Sequence, residues 1–179
     1  MRIACIGWGS LTWDPGKLPI KEEWQKNGPL LPIEFARESL DQRITLVIVE
    51  NSLTVTTLWV EMTCLNLDSA RESLRIREGT MLGNIHSVCR GERPTTSTKV
   101  TVLGWLNQVE FDCAIWTGLN CKFKNRNIKP TAKEVVRHLK LLNNEAKLKA
   151  EEYVRKTPKQ IGTKYRSLIE SELGWTPLE

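Results

Sequence analysis

From about residue 120 onward the chain changes from strand patterning to helix patterning, and no other feature limits its possible folds as strongly. Strands grouped early, one helix inserted among them and helices grouped late predict an α+β fold. The expected sheet is mainly antiparallel, mixed and barrel-like, and a C-terminal helical extension follows it. Regular strand–helix alternation is missing, so a doubly wound sheet is disfavoured. The expected organisation is an α+β domain over residues 1–120 and a basic helical extension over 121–179, packed on it as a single structural unit. A chain of 179 residues has room for one such unit with a real core.

The elements follow from local patterns. Arg2 to Ile6 is a short apolar run that fits a buried strand. Thr12 to Pro32 is rich in Pro, Gly and Trp and reads as a long ordered loop with one helical turn near Lys21–Gln25. Arg43–Val49 and Val55–Met62 read as a hairpin closed by Glu50-Asn51-Ser52. A helix is expected over 68–78, capped by Asp68 or Asn66 and ended by Gly79. Asn84 to Val88 fits a short strand. Val100–Leu106 and Glu110–Thr117 read as a second hairpin. Three helices close the chain. One opens on the capping box Thr131-Ala132-Lys133-Glu134, one spans about 145–155, and one opens on Thr157-Pro158-Lys159-Gln160.

Charge is uneven. Residues 1–120 hold 12 Lys and Arg against 14 Asp and Glu, whereas residues 121–179 hold 14 against 7. A basic helical surface can attract an acidic partner or nucleic acid. Few aromatics interleave these charges, so nucleic acid is disfavoured as a partner. No run approaches the roughly 20 apolar residues of a membrane span. The N-terminal run reads as a strand and not a signal peptide, which places the protein in the cytoplasm. Five cysteines at 5, 64, 89, 113 and 121 lack CxxC spacing. A disulfide framework or structural zinc is not expected, and Cys5, Cys64 and Cys113 read as small buried hydrophobes.

Several chemistries are excluded by spacing. Gly7-x-Gly9 lacks the third small residue of a dinucleotide fingerprint, since Thr12 stands there, and Trp13, Pro15 and Gly16 block the helix it needs. Two histidines, His86 and His138, are too few and too far apart for a metal site. Ser10 does not lie in a GxSxG elbow.

Two features remain. Gly7-Trp8-Gly9-Ser10 ends the first strand, and its glycines let a ligand approach main-chain N–H groups that can hold a carboxylate or an oxyanion. Alternatively it is a tight turn with Trp8 in the core. Glu78 ends a helix, where the macrodipole prefers cations. It is a candidate catalytic carboxylate, or else is neutralised by Arg75 or Arg77. Arg37 and Arg43, beside a predicted strand, are candidates for carboxylate recognition, or else surface ion-pairing residues.

Together these residues resemble the gamma-glutamylcyclotransferase-like fold family. In that family a first strand ends in Tyr-Gly-Ser-Asn or Tyr-Gly-Ser-Leu, and a later helix ends in Glu-Gly. Here the turn reads Trp8-Gly9-Ser10-Leu11 and the helix ends Arg77-Glu78-Gly79. Thr56 to Val60 resembles the strand before that helix, and Val100 to Leu106 the strand after it. The likeness covers about residues 2–118. Phe35-Ala36-Arg37-x-Ser39, Ile115-Trp116-Thr117-Gly118-Leu119 and Pro158-Lys159-Gln160-Ile161 are similar to an uncharacterised, C-terminally extended bacterial branch.

The resemblance implies a small-molecule, amino-acid-derived substrate and no metal or cofactor. It implies that Glu78 acts as general base on a γ-glutamyl amine, releasing 5-oxoproline. Gly7, Trp8, Gly9, Ser10 and Leu11, with Arg37 and Arg43, would line the substrate site. Trp8 stands where the family has tyrosine. The alternative is a non-catalytic binding module of the same fold, using its basic C-terminal helices to bind a partner or nucleic acid.

Overall fold

The computed structural model describes every residue except Glu22 and Glu179. Its strands are β1 (Ile3–Gly7), β2 (Leu30–Leu31), β3 (Ile33–Glu38), β4 (Ile44–Ile48), β5 (Val55–Thr56), β6 (Leu58–Glu61), β7 (Ile85–Cys89) and β8 (Cys113–Thr117). The helices are α1 (Leu67–Glu78), α2 (Ser97–Leu106), α3 (Ala132–Leu141), α4 (Asn144–Lys156) and α5 (Lys164–Leu173). The chain divides into two compact units. The first holds Met1–Gly7, Asp14–Leu31 and Thr56–Gly118; the second holds Trp8–Trp13, Pro32–Val55 and Leu119–Glu179.

The first unit is built on an open four-stranded sheet in the order β6-β1-β8-β7. β1 is antiparallel to β6 and parallel to β8, and β7 is antiparallel to β8. The sheet is thus mixed and mainly antiparallel, as expected. No sheet among the described residues closes, so the barrel-like expectation is corrected. All five residues of β1 are buried, which explains its unbroken apolar run. The free edge of β6 is covered by the preceding loop. Lys21, Gln25 and Gly28 donate main-chain hydrogen bonds to the Glu61, Trp59 and Thr57 carbonyls, at 2.8, 2.7 and 2.9 Å. Bridges at Ile20 and Gln25 replace the helical turn expected at Lys21–Gln25, of which Glu22 lies outside the described residues.

α1 matches its sequence signals. Asn66 accepts from the Ser69 N–H, and Gly79 takes the left-handed conformation at φ 59°. Ala70 and Leu74 are its buried residues.

Two further expectations fail in this unit. Val100–Leu106 lies in α2 and is not a strand, so two helices stand among the strands and the second hairpin does not form. The run is rich in β-branched residues, but Thr96 caps it by accepting from Lys99 N–H. Its buried positions, Val102, Trp105 and Leu106, have helical spacing. The first hairpin fails too, because β6 pairs with β1 and β4 pairs with β3.

Cys113 is not a free buried thiol. β7–β8 register sets it opposite Cys89, and the two form a disulfide with an S–S distance of 1.99 Å. Twenty-four residues of sequence separation hid this pair from a search for short spacings. Disulfides persist in oxidising surroundings; in the reducing cytoplasm expected above, the thiols would face each other unjoined. Closing a loop of 24 residues stabilises by about 3 kcal/mol on the chain-entropy account. Urea unfolding with and without dithiothreitol is expected to show that difference, and Cys113→Ser should abolish it. Cys5 is free and buried, while Cys64 is only half-buried. No described helix is long and apolar enough to cross a membrane.

In the second unit β3 and β4 form an antiparallel hairpin with an irregularity between Phe35 and Arg37. Ala36, Val47 and Val49 make a small core under Leu119 and Cys121. The Thr131 capping box forms as read from the sequence. The box expected at Thr157 does not. Thr157 Oγ1 donates to the Tyr153 carbonyl within the last turn of α4, and α5 starts later, capped by Thr163. The carbonyls left between these helices are satisfied by one buried side chain. The Arg166 guanidinium donates to Val154, Thr157, Pro158 and Ile161 O at 3.3, 2.9, 2.8 and 3.2 Å.

Glu34 is buried at 2% exposure and ties β3 to the start of α5. Its carboxylate accepts from Phe35 N–H at 2.9 Å, Thr163 Oγ1 at 2.5 Å and Tyr165 N–H at 3.2 Å. Burial raises its pKa above 4.5, while these bonds and the Lys129 charge pull it back. A carboxyl raised on folding stabilises most below its unfolded pKa, and that contribution is lost as pH rises through the folded value. Glu34→Gln removes this slope. The difference in denaturation free energy between wild type and variant should therefore change across the window just above pH 4.5, with wild type losing stability relative to the variant as pH rises. The variant also turns an amide N–H₂ toward a donor, which costs about 1–3 kcal/mol.

Candidate active site

In the first unit, the last residue of α1 turns its carboxylate inward. The Glu78 side chain is 16% exposed and accepts a hydrogen bond from Arg77 Nη1 at 2.5 Å. Arg77 is itself fixed, donating through Nε and Nη2 to the Asp14 carbonyl at 3.2 and 2.5 Å. Arg75 takes no part, because it pairs with Glu72. A carboxylate at a helix C-terminus is thereby compensated by its own neighbour. Its charge also reaches β1. Burial first, and then the Glu78 carboxylate, push the pKa of the enclosed Cys5 thiol upward, so Cys5 is not poised as a nucleophile.

In the second unit, the turn after Gly7 becomes a short 3-10 segment, Ser10–Thr12. Thr12 closes it by donating from both N–H and Oγ1 to the Gly9 carbonyl, each at 2.9 Å. Trp8 and Leu11 are buried. The Trp8 indole donates to the Leu46 carbonyl at 3.2 Å, and the Leu46 N–H donates to the Tyr153 hydroxyl at 3.2 Å. Two aromatic side chains thus satisfy both main-chain groups of one residue on β4. Tyr153 also explains Gly9. A Cβ on Gly9 would stand 2.6 Å from the Tyr153 hydroxyl oxygen. Trp13 packs edge-on against the Tyr153 ring at 5.5 Å between centroids. The Arg43 guanidinium lies 5.4 Å from the ring centroid while pairing with Asp41 at 2.8 Å.

Trp8, Gly9 and Arg43 therefore gather around Tyr153. Arg37 does not join them; its Nη1 donates to the Asn120 carbonyl at 2.8 Å, as a structural tie. No group of three or more metal-ligating side chains occurs among the described residues.

No family profile matches this sequence, and no curated protein matches it. Among solved structures, a gamma-glutamyl cyclotransferase specific to glutathione, from yeast, aligns with 97% of this chain and 98% of its own, with a TM-score of 0.54 and 13% identity. At the level of the fold, this chain is similar to a gamma-glutamyl cyclotransferase. That likeness runs beyond residues 2–118 into the C-terminal helices.

With a cyclotransferase-like fold, the main gap in the sequence reading is Tyr153. It falls in the helix expected over about 145–155 and has no role in the sequence reading above. The available signal was its hydroxyl, since a buried tyrosine usually needs a polar partner.

Proposed function

We propose that this protein is a cyclotransferase-type enzyme acting on a γ-glutamyl amine, with Glu78 as general base. The observation that carries the reading is Glu78 itself: an enclosed carboxylate held by Arg77 at the end of a helix that packs against β8, in a chain with this fold. The α-ammonium group of the substrate loses a proton to Glu78. The freed nitrogen attacks the γ-carbonyl carbon, and a new C–N bond closes a five-membered ring. The old amide C–N bond then breaks, Glu78 returns its proton to the departing nitrogen, and the ring nitrogen gives up its second proton, which the released amine takes up as its ammonium form. The products are 5-oxoproline and a free amine, with no water consumed. By the family resemblance, the turn at Gly9, Ser10 and Leu11 would hold the substrate through main-chain N–H groups.

Arg43 is the candidate of the two arginines for a substrate carboxylate, because it lies with Gly9 beside Tyr153 and Arg37 does not. Trp8 spends its indole N–H on Leu46, so in this reading it shapes the turn without offering a polar group. Glutathione is the first compound to test, given the specificity of the yeast neighbour. Purified protein should release 5-oxoproline from glutathione or from simpler γ-glutamyl amines, followed by mass spectrometry. Release from none of them would overturn the reading.

A further inference from the structure

We infer that Thr117, at the end of β8, is a substrate-binding residue whose hydroxyl hydrogen-bonds an oxygen of the γ-glutamyl group; this rests on the reading of Glu78 above. Thr117 Oγ1 is closed off from solvent and has no hydrogen-bond partner among the described residues. Buried hydroxyls are nearly always paired, so an unpaired one at a strand end calls for a ligand. Valine has the same shape, suits a strand equally well and carries no such cost. A threonine here is explained by an occasional partner.

The register places this hydroxyl. Cys5 of β1 pairs with Ile115 of β8 in the parallel ladder. Side chains two residues apart share a face, so Gly7 and Thr117 continue the Cys5–Ile115 row at the C-terminal ends of adjoining strands. The helix that ends in Glu78, α1, packs against β8 and β7. Gly7 is buried and carries no side chain that could pair with the Thr117 hydroxyl. The other unpaired group on this strand, Trp116 Nε1, belongs to the opposite face, where the ring meets His86 edge-on at 6.0 Å. The N–H of the next residue is already committed: Gly118 N–H donates to the Asn84 carbonyl at 2.8 Å. The hydroxyl therefore supplies polar contact that the main chain at this point does not. With the base taking the ammonium proton, the hydroxyl is left to donate to a substrate oxygen.

The test compares Thr117→Val and Thr117→Ser with wild type, using glutathione and γ-glutamylalanine as probes. Thr117→Val should raise KM about tenfold with kcat changed far less, as expected for one lost hydrogen bond. Its melting temperature should equal or exceed that of wild type. Thr117→Ser should restore KM. If wild type turns over either probe and Thr117→Val has an unchanged KM, this inference fails and the Glu78 reading stands. If wild type neither turns over nor binds glutathione, γ-glutamylalanine or 5-oxoproline in a thermal-shift titration, both fail.

Discussion

Glu78→Gln should lower kcat/KM for the best γ-glutamyl substrate by about 10²- to 10⁴-fold, the usual contribution of a positioned general base. The variant keeps the shape of the side chain and an oxygen that can accept from Arg77 Nη1. Its fold should therefore survive, and circular dichroism and the melting curve should match wild type. Substrate binding should also persist, because the main-chain donors and Arg43 are untouched. The loss then falls on kcat, as expected when the missing group acts in the transition state. Glu78→Asp retracts the carboxylate by one methylene and should lie between the two. Unchanged turnover in Glu78→Gln would remove Glu78 from the mechanism.

The second large effect concerns stability. Gly9→Ala sets a Cβ 2.6 Å from the Tyr153 hydroxyl oxygen, closer than real Cβ contacts come. The turn, the Tyr153 ring or α4 must shift. The Leu46–Tyr153 bond, 3.2 Å long, is lost with that movement. A cost of about 1–3 kcal/mol is expected from overpacking. Tyr153→Phe removes the offending oxygen but leaves the Leu46 N–H without its partner. The double variant should therefore be less destabilised than the sum of the two single changes, since Tyr153→Phe removes the clashing oxygen and the Leu46–Tyr153 bond is lost only once. Additive losses in urea denaturation would show that Tyr153 does not set the identity of residue 9.

Much of the fold was legible where local chemistry and tertiary packing agree. Asn66 and Gly79 mark the ends of α1, and Thr131 with Glu134 marks the start of α3, because capping is written within a few residues. Pairing was less legible. The turn at Glu50-Asn51-Ser52 suggested joining Arg43–Val49 to Val55–Met62, yet β4 pairs back to β3, over Phe35 and Leu46. Turn residues report a change of direction and not which strands become neighbours. β3 itself went unread, because Ile33–Glu38 mixes apolar residues with Glu34, whose burial depends on donors about 130 residues away. The same distance effect hid the start of α5, whose cap Thr163 bonds Glu34 on β3, whereas Thr157 bonds back into α4.

For the candidate site, Glu78 and the Gly9 turn were visible as local oddities. An acid at a helix C-terminus and two glycines at a strand end both break ordinary preferences. What lay out of reach was the support. Arg77 anchored on Asp14, Tyr153 against Gly9 and the unpaired hydroxyl of Thr117 are all products of tertiary packing.

Intramolecular attack by the substrate's own nitrogen is told from hydrolysis by the products formed in ¹⁸O-labelled water. Cyclotransfer predicts 5-oxoproline and free amine in equal amounts, with no label in the 5-oxoproline and with both products formed about 10²- to 10⁴-fold more slowly by Glu78→Gln. Glutamate carrying ¹⁸O in its γ-carboxylate would instead show that water attacks, and would contradict the account.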